Sequence, residues 1–282
     1  MNKVRQALDR ARQEREELLR VSQHAVPPLV ERATAGAEED CDPSPPSAAL
    51  ARAFAVGSDL LNQHRVLLPD SGSRAAQAFR MLRTQVLQRM RDNGWRSIGV
   101  VSARSMDGKT TVAANLAIAI ASDPRQTAIL VDLDLQRPAV AKVFGATTDG
   151  GIDDVLHERT TVDAVMLRPV GFDGLRLLPV RTATSGTASA LVARPACEAL
   201  LAELRNRYTN RIIVVDMPPI LDNDDALTLA PLVDCLLFVV SEGRTARADV
   251  TRALTLLAGR PVIGTVLNNC ATQDGVPASP YG

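Results

Sequence analysis

From Trp95 to Asn268 the sequence alternates between short apolar runs and segments with helical spacing, and no other feature constrains its fold as much. Near-continuous apolar runs of about four to eight residues are typical of strands buried on both faces. The alternation predicts an α/β protein with a mostly parallel β-sheet and helices on both faces. Such sheets bind ligands at the carboxyl ends of their strands. The predicted strands are SIGVVSA, TAILVDLD, LRLLPV, RIIVVDMPP, DCLLFVV and PVIGTVLN.

The first of these strands leads into a candidate phosphate-binding loop, VSARSMDGKTT, which a helical pattern follows. A GKT triplet alone is weak evidence, and Ala103 stands where the fuller pattern has a glycine. Strand, loop and helix in this order are nevertheless the context that such a loop requires. Lys109 would neutralise phosphate oxygens, and the Thr110 hydroxyl would bind Mg²⁺. The predicted nucleotide-binding residues are Ser105, Met106, Asp107, Gly108, Lys109, Thr110 and Thr111.

Aspartates close two further predicted strands. Asp132 and Asp134 in ILVDLDLQRP are two residues apart, so in an extended chain both side chains point to the same face. Buried aspartates are costly unless a cation lies between them and a phosphate. Asp216 closes RIIVVDMPP, where a carboxylate can hold Mg²⁺ through a water molecule. Together with Thr110, these three aspartates predict the metal ligands of a Mg·ATP site.

The composition argues against several other classes of protein. With 32 basic and 32 acidic residues, the chain has no general electrostatic reason to bind nucleic acid. Its four cysteines are far apart in sequence, so no CxxC metal or redox motif is present. No apolar run reaches the ~18 residues of a membrane span, and the charged N-terminus differs from a signal peptide. We therefore expect a cytoplasmic protein without a membrane span of its own.

The chain divides by composition into four parts. Residues 1–24 have helical apolar spacing and predict an amphipathic helix, either solvated or docked on a partner. Residues 25–71 are interpreted as a flexible linker, because 25–49 are rich in Pro, Ala, Ser and acidic residues. Residues 50–71 are ambiguous, since LARAF and RVLLP have the composition to pack on a domain edge. Residues 72–270 form the predicted α/β domain, and residues 271–282 a flexible tail.

The predicted domain begins with a helix over residues 73–92, which ends at Asn93 and Gly94. Arg80, Arg83 and Arg89 are expected to lie off its apolar stripe. The predicted stripe consists of Ala75, Ala78, Phe79, Leu82, Val86, Leu87 and Met90.

In this order, VSARSMDGKTT, ILVDLDLQRP and IIVVDMPP resemble the Walker A, A′ and B motifs of bacterial tyrosine kinases of capsule and exopolysaccharide assembly. These kinases belong to the MinD/ParA superclass of P-loop ATPases, and the resemblance covers about 74–270. Asn115 and Asn268 lie in segments typical of the superclass. The resemblance implies a P-loop NTPase fold, with one of the paired aspartates orienting or deprotonating the attacking hydroxyl. The Mg·ATP ligands it implies are Lys109, Thr110, Asp132, Asp134 and Asp216.

The resemblance also implies partners. Such kinases are activated by the cytoplasmic tail of a membrane chain-length (co-polymerase) protein, which here would be a separate polypeptide holding the chain at the inner membrane. They also form rings through an ExxRxxR helix, which in this chain reads Gln77, Arg80 and Arg83. Losing the carboxylate removes a charge-assisted contact, so Arg80 and Arg83 are candidates for oligomer contacts in a weakened motif. Arg104 stands where the ParA/MinD branch has an extra lysine, which favours the kinase branch.

The kinases end in a tyrosine cluster that is phosphorylated in trans, whereas this chain has two tyrosines, Tyr208 and Tyr281. Tyr208 is expected to pack at the end of a helix, and Tyr281 in the tail is either a phosphoacceptor or inert. The leading hypothesis is a homo-oligomeric tyrosine autokinase that regulates exopolysaccharide polymerisation and export. The alternative is a regulatory ATPase without tyrosine phosphorylation. A nucleotide-binding module without turnover is disfavoured because Lys109, Thr110 and the paired aspartates are intact.

Overall fold

The computed structural model describes residues 51–68, 72–184, 186, 188–207 and 210–270. The predicted helix over 1–24, Tyr208, and the predicted tail with Tyr281 lie outside the described residues. None of the described helices combines the length and the hydropathy that crossing a membrane requires.

One eight-stranded sheet runs through the described residues, and six of its strands are those predicted from the apolar runs. The order across the sheet is β1-β4-β5-β3-β6-β2-β7-β8, and all neighbouring pairs are parallel except β4 and β5. The predicted α/β class with a mostly parallel sheet is therefore confirmed. The strands are β1 (Arg52–Phe54), β2 (Ser97–Ser102), β3 (Thr127–Asp132), β4 (Leu167–Pro169), β5 (Leu175–Leu178), β6 (Arg211–Asp216), β7 (Cys235–Ser241) and β8 (Val262–Asn268).

Helices cover both faces of this sheet. Alternate residues of β3 belong to two different hydrophobic cores, Ile129 and Val131 to one, Ala128 and Leu130 to the other, as the pleat of a strand requires. The helices are α1 (Ser58–Gln63), α2 (Arg74–Asp92), α3 (Lys109–Ala121), α4 (Val140–Phe144), α5 (Ile152–Leu156), α6 (Val162–Val165), α7 (Ala188–Val192), α8 (Pro195–Arg207), α9 (Asp225–Leu229), followed by a 3-10 turn (Ala230–Leu232), and α10 (Arg247–Leu256).

Helix α3 is the most buried of the longer helices. Its sequence KTTVAANLAIAIA has no polar face beyond the first turn, and residues from Val112 to Ile120 are all buried. A helix that is apolar all round must be covered on all sides. The sheet and α2 both pack against it, which fixes the position of its first residue, Lys109.

The prediction of a linker over 25–71 is wrong for the part that the structure describes. Residues 51–68, here called the strap, contain β1 and α1, and β1 extends the sheet by pairing with β4. Leu61 and Val66 are buried in the same core as α3. The composition that suggested a linker, rich in Pro, Ala, Ser and acidic residues, is that of residues 25–49 and does not continue into the strap.

The predicted helix over 73–92 is present as α2, with Ser73 as its N-cap. Its apolar stripe is correct at Val86, Leu87 and Met90, which are buried. At the start of the helix Ala76 is buried, whereas Ala75 and Ala78, which were predicted to belong to the stripe, are exposed. Alanines gain little from burial, so they do not decide which face of a helix turns inward.

Candidate active site

The register of the sheet brings the acidic strand ends together at one edge. Asp132 of β3 lies directly opposite Asp216 of β6. Since β6 also pairs with β2, the loop that follows β2 lies at the same edge. Both carboxylates are fully buried. The candidate active site therefore lies at the carboxyl ends of β2, β6 and β3, where sheets of this class bind ligands.

The loop between β2 and α3 depends on a few backbone positions. Gly108 has φ 90°, and a Cβ at this position would overlap the Asn268 amide. Ala103 is fully buried and is not among the residues with positive φ, which explains why a glycine is not needed there. Met106 has φ 69° with a 73% exposed side chain, an unusual conformation for a large residue.

Asp107 shapes the loop from inside. Its buried carboxylate accepts hydrogen bonds from the Arg104 N–H at 3.1 Å and from the Thr245 hydroxyl at 2.9 Å. Its carbonyl accepts a third from Asn268 Nδ2 at 3.0 Å. The side chain and the carbonyl of Asp107, a predicted nucleotide-binding residue, are therefore engaged by the protein, and its backbone N–H remains for contact with a ligand.

Lys109, the first residue of α3, is buried and contacts two of the three aspartates. Its Nζ donates to Asp134 Oδ2 at 2.7 Å and lies 3.5 Å from Asp216 Oδ1. Burial acts to lower the pKa of Lys109, but the charges of Asp216 and Asp134 outweigh it and raise that pKa above its ordinary value. The ammonium group is therefore positively charged at neutral pH, the state needed to neutralise phosphate oxygens.

Thr110 and Asp216 have the features expected of magnesium ligands. The Thr110 hydroxyl donates to Asp216 Oδ2 at 2.6 Å. The other oxygen, Asp216 Oδ1, is buried and accepts no hydrogen bond from the described residues. Burial raises the pKa of Asp216, so its charge needs compensation. A hydroxyl beside a buried carboxylate oxygen without a donor is an oxygen donor set that fits Mg²⁺ or its bound water.

Asp132 is held in place by backbone N–H groups. Its Oδ2 accepts from Ala139 and Val140 at the start of α4, each at 3.0 Å, and its Oδ1 accepts from the Asp134 N–H at 3.2 Å. Burial and the charge of Asp216 raise the pKa of Asp132 to about 8. The pair predicted from ILVDLD thus consists of one carboxylate fixed by the backbone and one, Asp134, bound to Lys109.

A further set of charged residues ties the loop to its neighbours, and the sequence analysis assigned no such contacts. Arg104 donates twice to Asp249 of α10, at 3.2 and 3.0 Å. Ser105 donates to Asp222, and Arg137 donates to Ser105 and lies 3.4 Å from Asp222. Arg137 and Asp222 follow the carboxyl ends of β3 and β6, and this position is the sequence signal that could have identified them.

The remaining predicted residues are Arg80 and Arg83 of α2, away from this edge, and Thr111 in the first turn of α3. Arg83 of α2 is half-buried and donates to the Ala119 carbonyl at 3.3 Å, so it packs on α3 rather than standing free of it. Arg80 lies beside it in a small groove of about 40 Å³ that Leu67 and Phe79 also line. The assignment of both arginines to oligomer contacts stays a prediction. Thr111 accepts a hydrogen bond through its carbonyl from Asn115 Nδ2 at 2.9 Å.

A strand, a GKT loop and a buried helix beside acidic strand ends are the arrangement of P-loop nucleoside triphosphatases, and the chain has the fold of this class. Within the class it belongs to the ParA family, since the ParA model, described as "NUBPL iron-transfer P-loop NTPase", matches residues 95–274. The match covers more than half of the chain. Members of this class bind nucleotides at the loop described above.

The chain is also similar to bacterial tyrosine kinases. It is 27% identical over 198 residues to the putative tyrosine-protein kinase CapB of Staphylococcus aureus, covering 70% of this chain and 85% of CapB. The succinoglycan biosynthesis transport protein ExoP of Rhizobium meliloti (strain 1021) is 28% identical over 208 residues, which are 72% of this chain but only 26% of ExoP. The kinase domain of the Escherichia coli tyrosine kinase ETK superposes with TM-score 0.64 at 26% identity, over 73% of this chain and 79% of the domain. The resemblance predicted from the motifs is confirmed.

Proposed function

We propose that the chain is an ATP-dependent protein-tyrosine kinase that acts in exopolysaccharide or capsule assembly. The observation that carries the proposal is the cluster of Lys109, Thr110, Asp132, Asp134 and Asp216 at one edge of the sheet, with contacts of 2.6 to 3.5 Å between the first two and the aspartates Asp134 and Asp216. Relatives named tyrosine kinases and a polysaccharide transport protein support the choice of reaction and pathway. Iron transfer is not proposed, because the four cysteines are far apart in sequence.

Each residue has a part in phosphoryl transfer. Lys109 and the backbone of the loop bind the phosphates, and Mg²⁺, when bound, neutralises charge that develops on the transferred group. Thr110, Asp132, Asp134 and Asp216 are the residues that would hold the metal. Asp132 or Asp134 orients or deprotonates the attacking hydroxyl. When the Lys109 ammonium group binds a phosphate, Asp134 loses its ion pair with Lys109. Asp132 keeps the hydrogen bonds that it accepts from backbone N–H groups.

The acceptor and the partners follow from the same hypothesis. Tyr281 is the proposed phosphoacceptor, reached in trans by a neighbouring copy in a homo-oligomer with contacts at Arg80 and Arg83. The cytoplasmic tail of a separate membrane co-polymerase activates the enzyme and holds it at the inner face of the inner membrane. Relatives such as ExoP, of which this chain spans about a quarter, support an association with polysaccharide export.

A second candidate is a regulatory ATPase of the same pathway, in which the phosphoryl group goes to water. The observation that favours it is the presence of only two tyrosines in the sequence. Both candidates use the same magnesium and lysine chemistry, so they differ only in the acceptor.

The test is mass spectrometry of the intact chain and its peptides after incubation with Mg·ATP and the partner's cytoplasmic tail, with ADP release followed in parallel. Phosphate on Tyr281 that is absent from Lys109→Met supports the kinase. ADP release without a phosphopeptide supports the ATPase. Lys142→Met, which replaces an exposed lysine of α4, is the matched control and should retain activity. Turnover that persists in Lys109→Met would contradict both candidates.

A further inference from the structure

The order of the strands indicates which end of a bound nucleotide lies beside which strands of the sheet. The carboxylates that would hold the metal lie on β6 and β3, on one side of β2. β7 and β8 lie on its other side. Metal ions in such sites bridge the β- and γ-phosphates. A phosphate chain that begins at these carboxylates and crosses the loop therefore brings the nucleoside to the carboxyl ends of β7 and β8.

Polar side chains from three parts of the chain meet at that end. Asn269, the residue after β8, donates through Nδ2 to the Ser241 hydroxyl at 2.9 Å. Its Oδ1 accepts from the guanidinium group of Arg65, in the strap, at 3.1 Å. The preceding residue, Asn268, bonds the loop carbonyl of Asp107. The strap is thus linked to the loop through Arg65, Asn269 and the adjacent Asn268, although it lies outside residues 95–274 that match the family.

The backbone that follows Arg65, on both sides of Val66, is fixed by the helix that carries Lys109. Asn115 of α3 donates to the Arg65 carbonyl at 2.9 Å and accepts from the Leu67 N–H at 2.7 Å. Val66, between them, is only 3% exposed. The guanidinium group itself is exposed, and its partner is a neutral amide. Among the residues that the structure describes, no carboxylate forms an ion pair with Arg65.

Residues with an unusual backbone conformation also occur at the carboxyl end of β8 and in the strap. Four non-glycine residues in the described part of the chain have positive φ: Arg65 at 55°, Met106 at 69°, Glu158 at 59° and Asn269 at 57°. Met106 belongs to the phosphate-binding loop, Asn269 follows the residue that bonds the Asp107 carbonyl of that loop, and Arg65 donates to Asn269. Residues held in this conformation cluster at ligand sites, because the surrounding structure must stabilise them.

We propose that Arg65 is a nucleoside-binding residue, whose planar guanidinium group stacks on the base of the bound nucleotide. The inference rests on the proposed nucleotide binding and adds a contact from outside the family domain. Guanidinium groups stack on aromatic planes, which an ammonium group does not reproduce. The strap then acts as one wall of the base site, and Asn115 is the positioning residue that couples this wall to the helix of Lys109.

The experiment compares binding of Mg·ADP and of magnesium pyrophosphate to the full chain by calorimetry. Arg65→Ala should weaken ADP binding about tenfold and leave pyrophosphate binding unchanged, because pyrophosphate has no base. Arg65→Lys should not restore ADP affinity. Arg52→Ala, in which an exposed arginine of the same strap loses its ion pair with Asp149, is the matched control and should bind both ligands like the wild type.

Four results would overturn the proposal. Equal losses for ADP and pyrophosphate, or rescue by Arg65→Lys, would mean that Arg65 acts through its charge on the phosphates or through folding. Unchanged ADP affinity in Arg65→Ala would mean that Arg65 makes no contact with the nucleotide. A wild-type chain that binds neither ligand would contradict the proposed function itself. Thermal unfolding of each variant without ligand separates folding effects from binding effects.

Discussion

The edge of the candidate active site (Lys109, Thr110, Asp132, Asp134 and Asp216) and the strap are both attached to helix α3, but they are built in opposite ways. The edge consists of residues in short local motifs, GKT, VDLD and VVDMPP, and it buries three aspartates around one lysine. The strap has no motif, and it is held by the pairing of β1 with β4, two buried apolar side chains and the hydrogen bonds of Asn115. The residues with reactive groups therefore lie in recognisable sequence motifs, whereas the residues that attach the strap to the domain do not.

The two regions also differ in what they contribute to stability. Burial raises the pKa values of Asp132 and Asp216. In the absence of ligand, the charged forms of these carboxylates therefore have a higher free energy at the edge than they would have in water. The strap leaves no comparable charge buried. We expect substitutions at the edge to remove activity while the fold survives, and substitutions at the strap anchors to weaken the fold.

The largest effect is expected at the edge. Asp216→Asn should reduce ATP turnover by about two to three orders of magnitude, because the metal loses its charged partner. Steady-state ADP release at saturating Mg·ATP measures this loss. Asp173→Asn, which changes an exposed carboxylate whose side chain is 92% accessible, is the matched control. Turnover within a factor of two of the wild type in Asp216→Asn would remove Asp216 from the site.

The next effect is at the strap anchor. Asn115→Ala removes three hydrogen bonds, of 2.7 to 2.9 Å, to the Leu67 N–H and to the carbonyls of Arg65 and Thr111. The free energy of unfolding should fall by about 3 kcal/mol, since partly buried partners are left unsatisfied. Urea unfolding measures the change. Ser122→Ala, at the end of the same helix, removes a single hydrogen bond and should cost about 1 kcal/mol. Equal losses in the two variants would contradict an anchoring role for Asn115.

Alanine substitutions at two glycines distinguish the contribution of strap packing to stability from that of backbone strain. Gly145 has φ 65°, and a Cβ there would come within 2.5 Å of Leu60 Cδ2 in the strap. Gly171 has φ 89° with open space around it. Gly171→Ala should cost about 1 kcal/mol of strain alone, and Gly145→Ala about 2 kcal/mol, because Leu60 must also move. The melting temperatures of the two variants test this, and an equal shift would mean that Leu60 does not press on α4.

The smallest effect concerns the pH dependence of stability without nucleotide. Folding raises the pKa of Asp132 from an ordinary unfolded value of about 3.9 to about 8, so the folded chain holds that proton more tightly. Its contribution to stability is therefore present in full below the unfolded pKa and is lost as pH rises towards 8. Asp132→Asn should flatten this dependence and stabilise the chain at pH 8. Part of the gain is offset because an amide NH2 group replaces one of the two oxygens that accept backbone hydrogen bonds. A melting temperature that falls equally with pH in both proteins would contradict this account.

The two regions differ in how far the sequence predicts them. The six predicted strands and the helices between them could be predicted because their apolar runs are long and their motifs involve residues close together in sequence. The acidic strand ends were assigned correctly to one edge, since parallel strands of one sheet end together. The strands β1 and β4 have three residues each, which is too short for an alternating apolar pattern to be recognised in the sequence. Asp222 and Asp249 are ordinary surface acids until tertiary structure brings them to Arg104 and Arg137.

By itself, the sequence determined the α/β class, the loop from Ser105 to Thr111 and the three aspartates that face it. These depend on local patterns: apolar period, glycine at Gly108, and residue type at a strand end. Only the tertiary structure decided that the strap belongs to the sheet, that Asn115 anchors it, and that Arg65 meets Asn269 across 204 positions of sequence. Such contacts join residues far apart in the chain, and their energy comes from burial and hydrogen bonds that no local pattern records.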